Sequence, residues 1–146
     1  MNAEIMKNRI KAIRGELNKK QINVLIITKP ANVSYVTGFS GDDSWAIITG
    51  REVYLLTDSR YTEQAQGECL CCKIIQRNGT ITEAAARLIK KQKSNRITAV
   101  EKSMSLAVYK ALKKNIRGRL QTTENIVESL RSRKDGDEIA AIKTAG

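Results

Sequence analysis

Histidine is absent from all 146 residues. That removes Ser-His-Asp and Cys-His catalysis, and it removes the ligand that completes many zinc sites. Aromatics are scarce: one Trp, four Tyr and one Phe. Single-strand nucleic-acid binding depends on stacking platforms, so few rings count against it. No apolar run approaches the roughly 20 residues that span a bilayer, so no membrane helix is expected. Gly38-Phe39-Ser40-Gly41 has neither the G-x-G-x-x-G spacing nor the Walker lysine, so no phosphate cradle is expected. Met1-Asn2-Ala3-Glu4 opens directly into a charged helical pattern, without a basic n-region or an apolar h-region. The expectation is a cytoplasmic protein.

The three cysteines cluster at Cys69, Cys71 and Cys72. A structural zinc site wants four ligands, usually as two separated pairs, and a Cys71–Cys72 disulfide between neighbours would be badly strained. Reduced thiols on a strand are expected, Cys69 and Cys71 on one face and Cys72 on the other. The length suits one domain with a core that buries roughly 70% of the unfolded surface.

What the chain has in excess is positive charge, +11 from 26 Lys and Arg against 15 Asp and Glu. Such a balance permits an anionic partner: nucleic acid, a membrane surface or an acidic domain. The cations are grouped as Lys19-Lys20, Lys90-Lys91-Lys93, Lys113-Lys114, Arg117-Arg119 and Arg131-Arg133-Lys134. Most of these fall near predicted helix ends, where cations suit the macrodipole.

Hydrophobic spacing sets the predicted elements. Met6, Ile10, Ile13 and Leu17 mark an amphipathic helix over the first twenty residues. Val24–Ile27 reads as a buried strand ended by Pro30. Trp45–Ile48 and Val53–Leu56 read as a hairpin around Gly50-Arg51-Glu52. Asp58 is placed to cap a helix opening at Ser59. Leu70–Ile75 and Ile97–Val100 are further strands. Thr80 and Glu83 form a capping box before a helix with Ile81, Ala84, Ala85, Leu88 and Ile89 on one face. Leu106–Leu112 belongs to another helix, and the chain from about Glu124 reads as charged helix. Strands alternating with helices indicate an α/β domain with an antiparallel hairpin in a mixed sheet.

Two stretches invite a functional reading. In the first, Asn32 to Gly41, the turn formers Asn32 and Ser34 and the freedom of Gly38 and Gly41 suggest a shaped loop. Phe39 and Trp45 either meet a ligand there or are buried within the domain. In the second, Thr57-Asp58-Ser59-Arg60-Tyr61, a strand hands over to a helix, where α/β sheets form ligand crevices. An Asp58–Arg60 ion pair also explains it locally. Asp42, Asp43, Asp58 and Glu101 all lie at strand ends, although no spacing forces them around a cation.

These stretches carry a resemblance. Asn32-Val33-Ser34-Tyr35-Val36-Thr37-Gly38-Phe39-Ser40-Gly41 and Leu55–Tyr61 resemble the paired signature of the creatinase/prolidase/Xaa-Pro aminopeptidase N-terminal domain. The opening helix with Gln21–Thr28, the pair Val100-Glu101, and Leu130-Arg131 through Ala140 are similar to family segments in the same order. Asn32, Tyr35, Gly38, Asp58, Arg60, Tyr61 and Glu101 stand at the motif positions. Ser59 stands where the family commonly has glycine.

The resemblance implies a mixed β-sheet flanked by helices, ribonuclease H-like, over residues 1–130. Residues 131–146 would begin a linker helix to a catalytic domain that this chain lacks. It implies a non-catalytic domain of a proline-specific metallopeptidase, with two divalent ions (manganese, cobalt or zinc) in the other domain. The family's N-terminal domains build a homodimer and limit substrate access. By position, Phe39, Ser40, Asp42, Asp43 and Trp45 would form a gating loop near the partner's site, facing a peptide with proline second. The rival reading is a stand-alone basic nucleic-acid-binding module.

Overall fold

A computed structural model describes residues 2–92 and 97–133. Lys93, the segment Lys134–Ala140 and the rest of the expected linker helix to Gly146 lie outside the described residues.

The first helix, α1 (Ala3–Lys19), starts where Asn2 Oδ1 accepts the Ile5 N–H at 2.9 Å. Its stripe of Met6, Ile10, Ile13 and Leu17 is buried, as the spacing predicts. β1 (Val24–Ile27) is buried on both faces. Leu25 and Ile27 join one apolar cluster, and Val24 and Ile26 join another. This is the strict period-two alternation of a strand covered on both sides.

The strands β2 (Trp45–Ile48) and β3 (Val53–Thr57) form the expected antiparallel hairpin, with Ala46 opposite Leu55. β4 (Lys73–Gln76), β5 (Ile97–Glu101) and β6 (Arg119–Thr123) complete a mixed sheet of order β4-β3-β2-β1-β5-β6. β2 is antiparallel to both its neighbours, while β1–β5, β5–β6 and β3–β4 are parallel. α1, α2 (Pro30–Thr37), α3 (Thr62–Glu68) and the helical residues 126–133 supply one cluster. α4 (Ile81–Lys90) and α5 (Leu106–Asn115) supply the cluster on the opposite face. A sheet between two helical layers results.

Three expected features need correction, and one strand was missed. Pro30 does not simply end β1; it sits in the first turn of α2, where its missing N–H costs nothing. The segment 30–37 is therefore helix, and the loop begins only at Gly38. Asp58 caps no helix: α3 starts at Thr62, and Asp58 instead accepts the Arg60 N–H at 2.9 Å in a turn over 59–61. The strand expected over Leu70–Ile75 is β4, beginning at Lys73, so the cysteines precede it. The pattern missed β6 altogether, an edge strand whose Arg119 and Thr122 are exposed and which carries one large apolar residue, Leu120.

Candidate functional site

The connection 38–44 between α2 and β2 lies beside the C-terminal end of β3. Its entry is set by Gly38, at φ +86°, whose N–H closes α2 on Ser34 O at 2.8 Å. A left-handed cap of this kind favours glycine. Phe39 then turns fully inward, meeting Tyr61 edge to face at 5.9 Å between ring centres. A methyl on Gly41 would collide with that Phe39 ring.

Side chains from α3 and from the turn before it hold the loop at two points. Ser40 donates its N–H and its Oγ to the Glu68 carboxylate, at 3.0 and 2.8 Å. Gln64 Nε2 donates to both Ser40 Oγ and Glu68. The Ser40 N–H, with the Ser40 hydroxyl and Gln64 after it, keeps the Glu68 carboxyl below its ordinary range. At the other end, Arg60 Nη2 reaches Asp58 Oδ2 at 2.7 Å and Asp43 Oδ2 at 3.2 Å. The Arg60 hydrogen bond lowers the Asp58 pKa, and Arg77 adds a weaker pull from 3.5 Å. Ser44 Oγ donates to Thr57 Oγ1 at 2.8 Å.

The two sequence signatures are thus one structural unit. Thr57, Arg60 and Tyr61 brace Ser44, Asp43 and Phe39 respectively. Of the expected gating residues, the fold brings Ser40, Asp42 and Asp43 to the surface together. Asp42 offers a carboxylate without a side-chain partner among the described residues, whereas Asp43 is paired with Arg60. Phe39 is fully buried and Trp45 opens β2, packed in the α4–α5 cluster. Their apolar surfaces are used within the domain. A cleft of about 370 Å³ lies between this loop and the start of α2, lined by Thr28, Pro30 and residues 41–45.

Glu101 has a different task. It is 6% exposed and accepts from the backbone N–H groups of Thr28 and Lys29 and from Asn32 Nδ2. Arg131 Nη1 donates to Asn32 Oδ1 at 2.9 Å, and Lys29 Nζ meets Glu128 at 2.8 Å. A buried carboxylate needs such donors, since its desolvation is otherwise expensive. Asn32 and Glu101 therefore fasten the helical residues 126–133 to the ends of β1 and β5. Arg131 belongs to this site, although in the sequence it stands out only as part of a terminal motif. Tyr35 is likewise structural: the Arg9 guanidinium lies 4.1 Å above its ring centre.

A divalent-metal centre does not fit these residues. Asp43 and Asp58 converge, but on the Arg60 cation, while Asp42 stands outside that pair and Glu101 is engaged by Asn32. Among the described residues, no group of three potential His, Cys, Asp or Glu ligands comes together. None of the six aromatic side chains is exposed, so the basic surface has no stacking platform. No helix among the described residues is long and apolar enough to cross a membrane.

Residues 9–133 match the family described as the Creatinase/Prolidase N-terminal domain. An uncharacterized peptidase of Bacillus subtilis, YqhT, is 29% identical over 138 residues, 94% of this chain. This chain spans 39% of that relative's length. An Xaa-Pro aminopeptidase structure from Streptococcus pyogenes superposes with a TM-score of 0.80 at 27% identity, covering 88% of this chain and 99% of that one. The Xaa-Pro dipeptidase from Bacillus anthracis gives 0.80 at 25% identity, covering 86% of this chain and 36% of that one. These relatives are peptidases, and the nucleic-acid reading draws no support from them.

Proposed function

Since the chain belongs to the creatinase/prolidase N-terminal domain family, we propose that it serves a peptidase that cleaves peptides with proline at the second position. In that role it is an accessory domain that limits substrate access and contributes to a homodimer. Catalysis resides in a separate domain that carries two divalent ions, manganese, cobalt or zinc, which activate water for attack on the peptide bond. Residues 131–146 are the start of the connection to that domain. Three cysteines without a disulfide suit a cytoplasmic setting.

The observation that carries this reading is the loop 38–44. It is anchored by Glu68 at one end and Arg60 at the other, yet it leaves Ser40, Asp42 and Asp43 at the surface. A loop held in this way has lost its ordering entropy in advance, so it can exclude or orient a peptide at little further cost. Asp42, the carboxylate with no side-chain partner among the described residues, is the group suited to a substrate amine.

The test is made on the native gene product. Its intact mass should be more than twice that of this chain, and it should hydrolyse Xaa-Pro peptides when supplied with manganese. There, Asp42→Ala should raise KM with kcat nearly unchanged, as expected for a residue that only binds. A native product ending near Gly146 would overturn the proposal, as would a product inert toward Xaa-Pro peptides.

A further inference from the structure

The cysteines do not lie on a strand, and their arrangement differs from the alternation expected of one. Cys69 follows α3 and donates its N–H to Ala65 O at 2.8 Å. Cys71 adopts φ +59°, in the left-handed region, within a bend that brings the chain back toward the sheet. Cys69 and Cys72 consequently pack against the same apolar cluster, both half-buried. Cys71 is exposed and turned away, its Sγ 3.6 Å from Ala3 O.

We propose that Cys69 and Cys72 are a redox pair that closes reversibly into an intramolecular disulfide by exchange with a disulfide oxidant. The spacing Cys69-Leu70-Cys71-Cys72 is the C-x-x-C pattern that dithiol exchange sites use. It closes a small ring without the distortion that a Cys71–Cys72 link would need. Pairing with Cys72 lowers the Cys69 pKa, while the same pairing, with burial, raises that of Cys72. Either thiol can open the exchange; with Cys69 attacking first, Cys72 is the resolving thiol.

In the first step the Cys69 thiolate attacks one sulfur of the oxidant R–S–S–R. A Cys69–S–S–R bond forms, the oxidant's S–S bond breaks, and R–S⁻ leaves to take up a proton. Cys72 then gives up its proton and attacks the Cys69 sulfur, expelling the second R–S⁻, which is protonated in turn. Two protein thiols are oxidised and one oxidant disulfide is reduced to two thiols. The segment between the pair is bonded to the base of the loop, Leu70 N–H to Thr37 O at 3.0 Å. The disulfide would therefore form in the segment tied to the C-terminal end of α2.

The experiment exposes the folded chain to oxidised glutathione, blocks remaining thiols by alkylation and measures the intact mass. The expected product has lost two hydrogens, carries one alkyl group and retains no glutathione. Fragmentation of the peptide 61–73 should place the alkyl group on Cys71. Cys71→Ser should oxidise as the parent chain does. Cys69→Ser and Cys72→Ser should each stop at an open glutathione adduct while keeping the parent's circular dichroism. Three alkylated cysteines after oxidation, or a disulfide that includes Cys71, would overturn the proposal. The unsubstituted chain and Cys71→Ser are enough to decide between these outcomes, so misfolding of another variant does not shield the proposal.

Discussion

Asn32 donates its side-chain N–H to Glu101, joining two residues 69 positions apart in sequence. Its carbonyl accepts from Arg131, so a single amide uses both its ends to link the start of α2, the end of β5 and the helical residues 126–133. An Asn is suited to this task because it donates and accepts at once, which neither Asp nor Leu of similar size can do. The family-motif positions Asn32 and Glu101 therefore report architecture.

Removing that amide should be costly. Asn32→Ala leaves buried Glu101 short of a donor and Arg131 short of an acceptor, a loss of about 1–3 kcal/mol. Chemical denaturation checks this as a lower midpoint with an unchanged slope. In a double-mutant cycle Asn32→Ala and Arg131→Ala should couple by about 0.5 kcal/mol or more. Additive effects would show that the Asn32–Arg131 bond contributes nothing.

Two glycines should respond in opposite directions. Gly38→Ala places a methyl 2.9 Å from Glu68 O at φ +86°, so steric conflict and backbone strain act together. A destabilisation of about 1–2 kcal/mol or more is expected. Gly15 sits inside α1 with nothing within 4 Å of an added methyl. Gly15→Ala should raise stability by about 0.5–1 kcal/mol. Thermal unfolding of both variants tests the pair, and two shifts of the same sign would contradict this reading of their environments.

The layered architecture was legible because its carriers are strong local patterns. The α1 stripe, the β-branched run Val24–Ile27 and the hairpin all lie where residue spacing puts them. The misses share a cause: tertiary context outweighed local signal. β6 is an edge strand with little apolar content, so period-two alternation had nothing to mark. α2 contains Asn, Ser and two Val, poor helix formers, and is held by burial of Val33, Tyr35 and Val36. The partnership of Arg60 with Asp43 was not readable either, because it spans 17 residues and depends on the turn that Asp58 sets.

The basic surface yields a further prediction. Lys90, Lys91, Lys113 and Lys114 lie at the ends of α4 and α5, where the helix dipole accounts for them. With no exposed aromatic, single-stranded oligonucleotides should bind only weakly at low ionic strength and be released as salt rises. Fluorescence anisotropy across a salt series checks this. Binding that persists at physiological salt, where non-specific contacts have Kd values of about 10⁻⁴–10⁻⁶ M, would restore the nucleic-acid reading.

Acid should loosen the loop before it unfolds the sheet. Asp58, through its hydrogen bond with Arg60, and Glu68, through the Ser40 N–H, both titrate lower in the folded chain than in the unfolded one. A depressed folded pKa gives stability that is complete above the unfolded value, about 3.9 for Asp and 4.3 for Glu. That stability fades as pH falls through the folded value. Neither contribution should change near neutral pH. Glu68→Gln should therefore be less stable than the parent near neutrality, and the gap should narrow as pH drops below about 4. Salt should separate the two anchors. Arg60 and Asp43 are 63% and 62% exposed, so their attraction is screened, whereas Ser40 and Gln64 offer Glu68 neutral donors. The protection of the Ser40 amide, measured against its intrinsic exchange rate at each pH, reads the Glu68 anchor, and the Arg60 guanidinium proton signal reads the Asp43 anchor. In high salt the Arg60 signal should move toward that of a free guanidinium while Ser40 protection holds, and in acid Ser40 protection should fall. Equal sensitivity of the two probes to salt would mean that the loop moves as one piece and that the double anchoring is wrong.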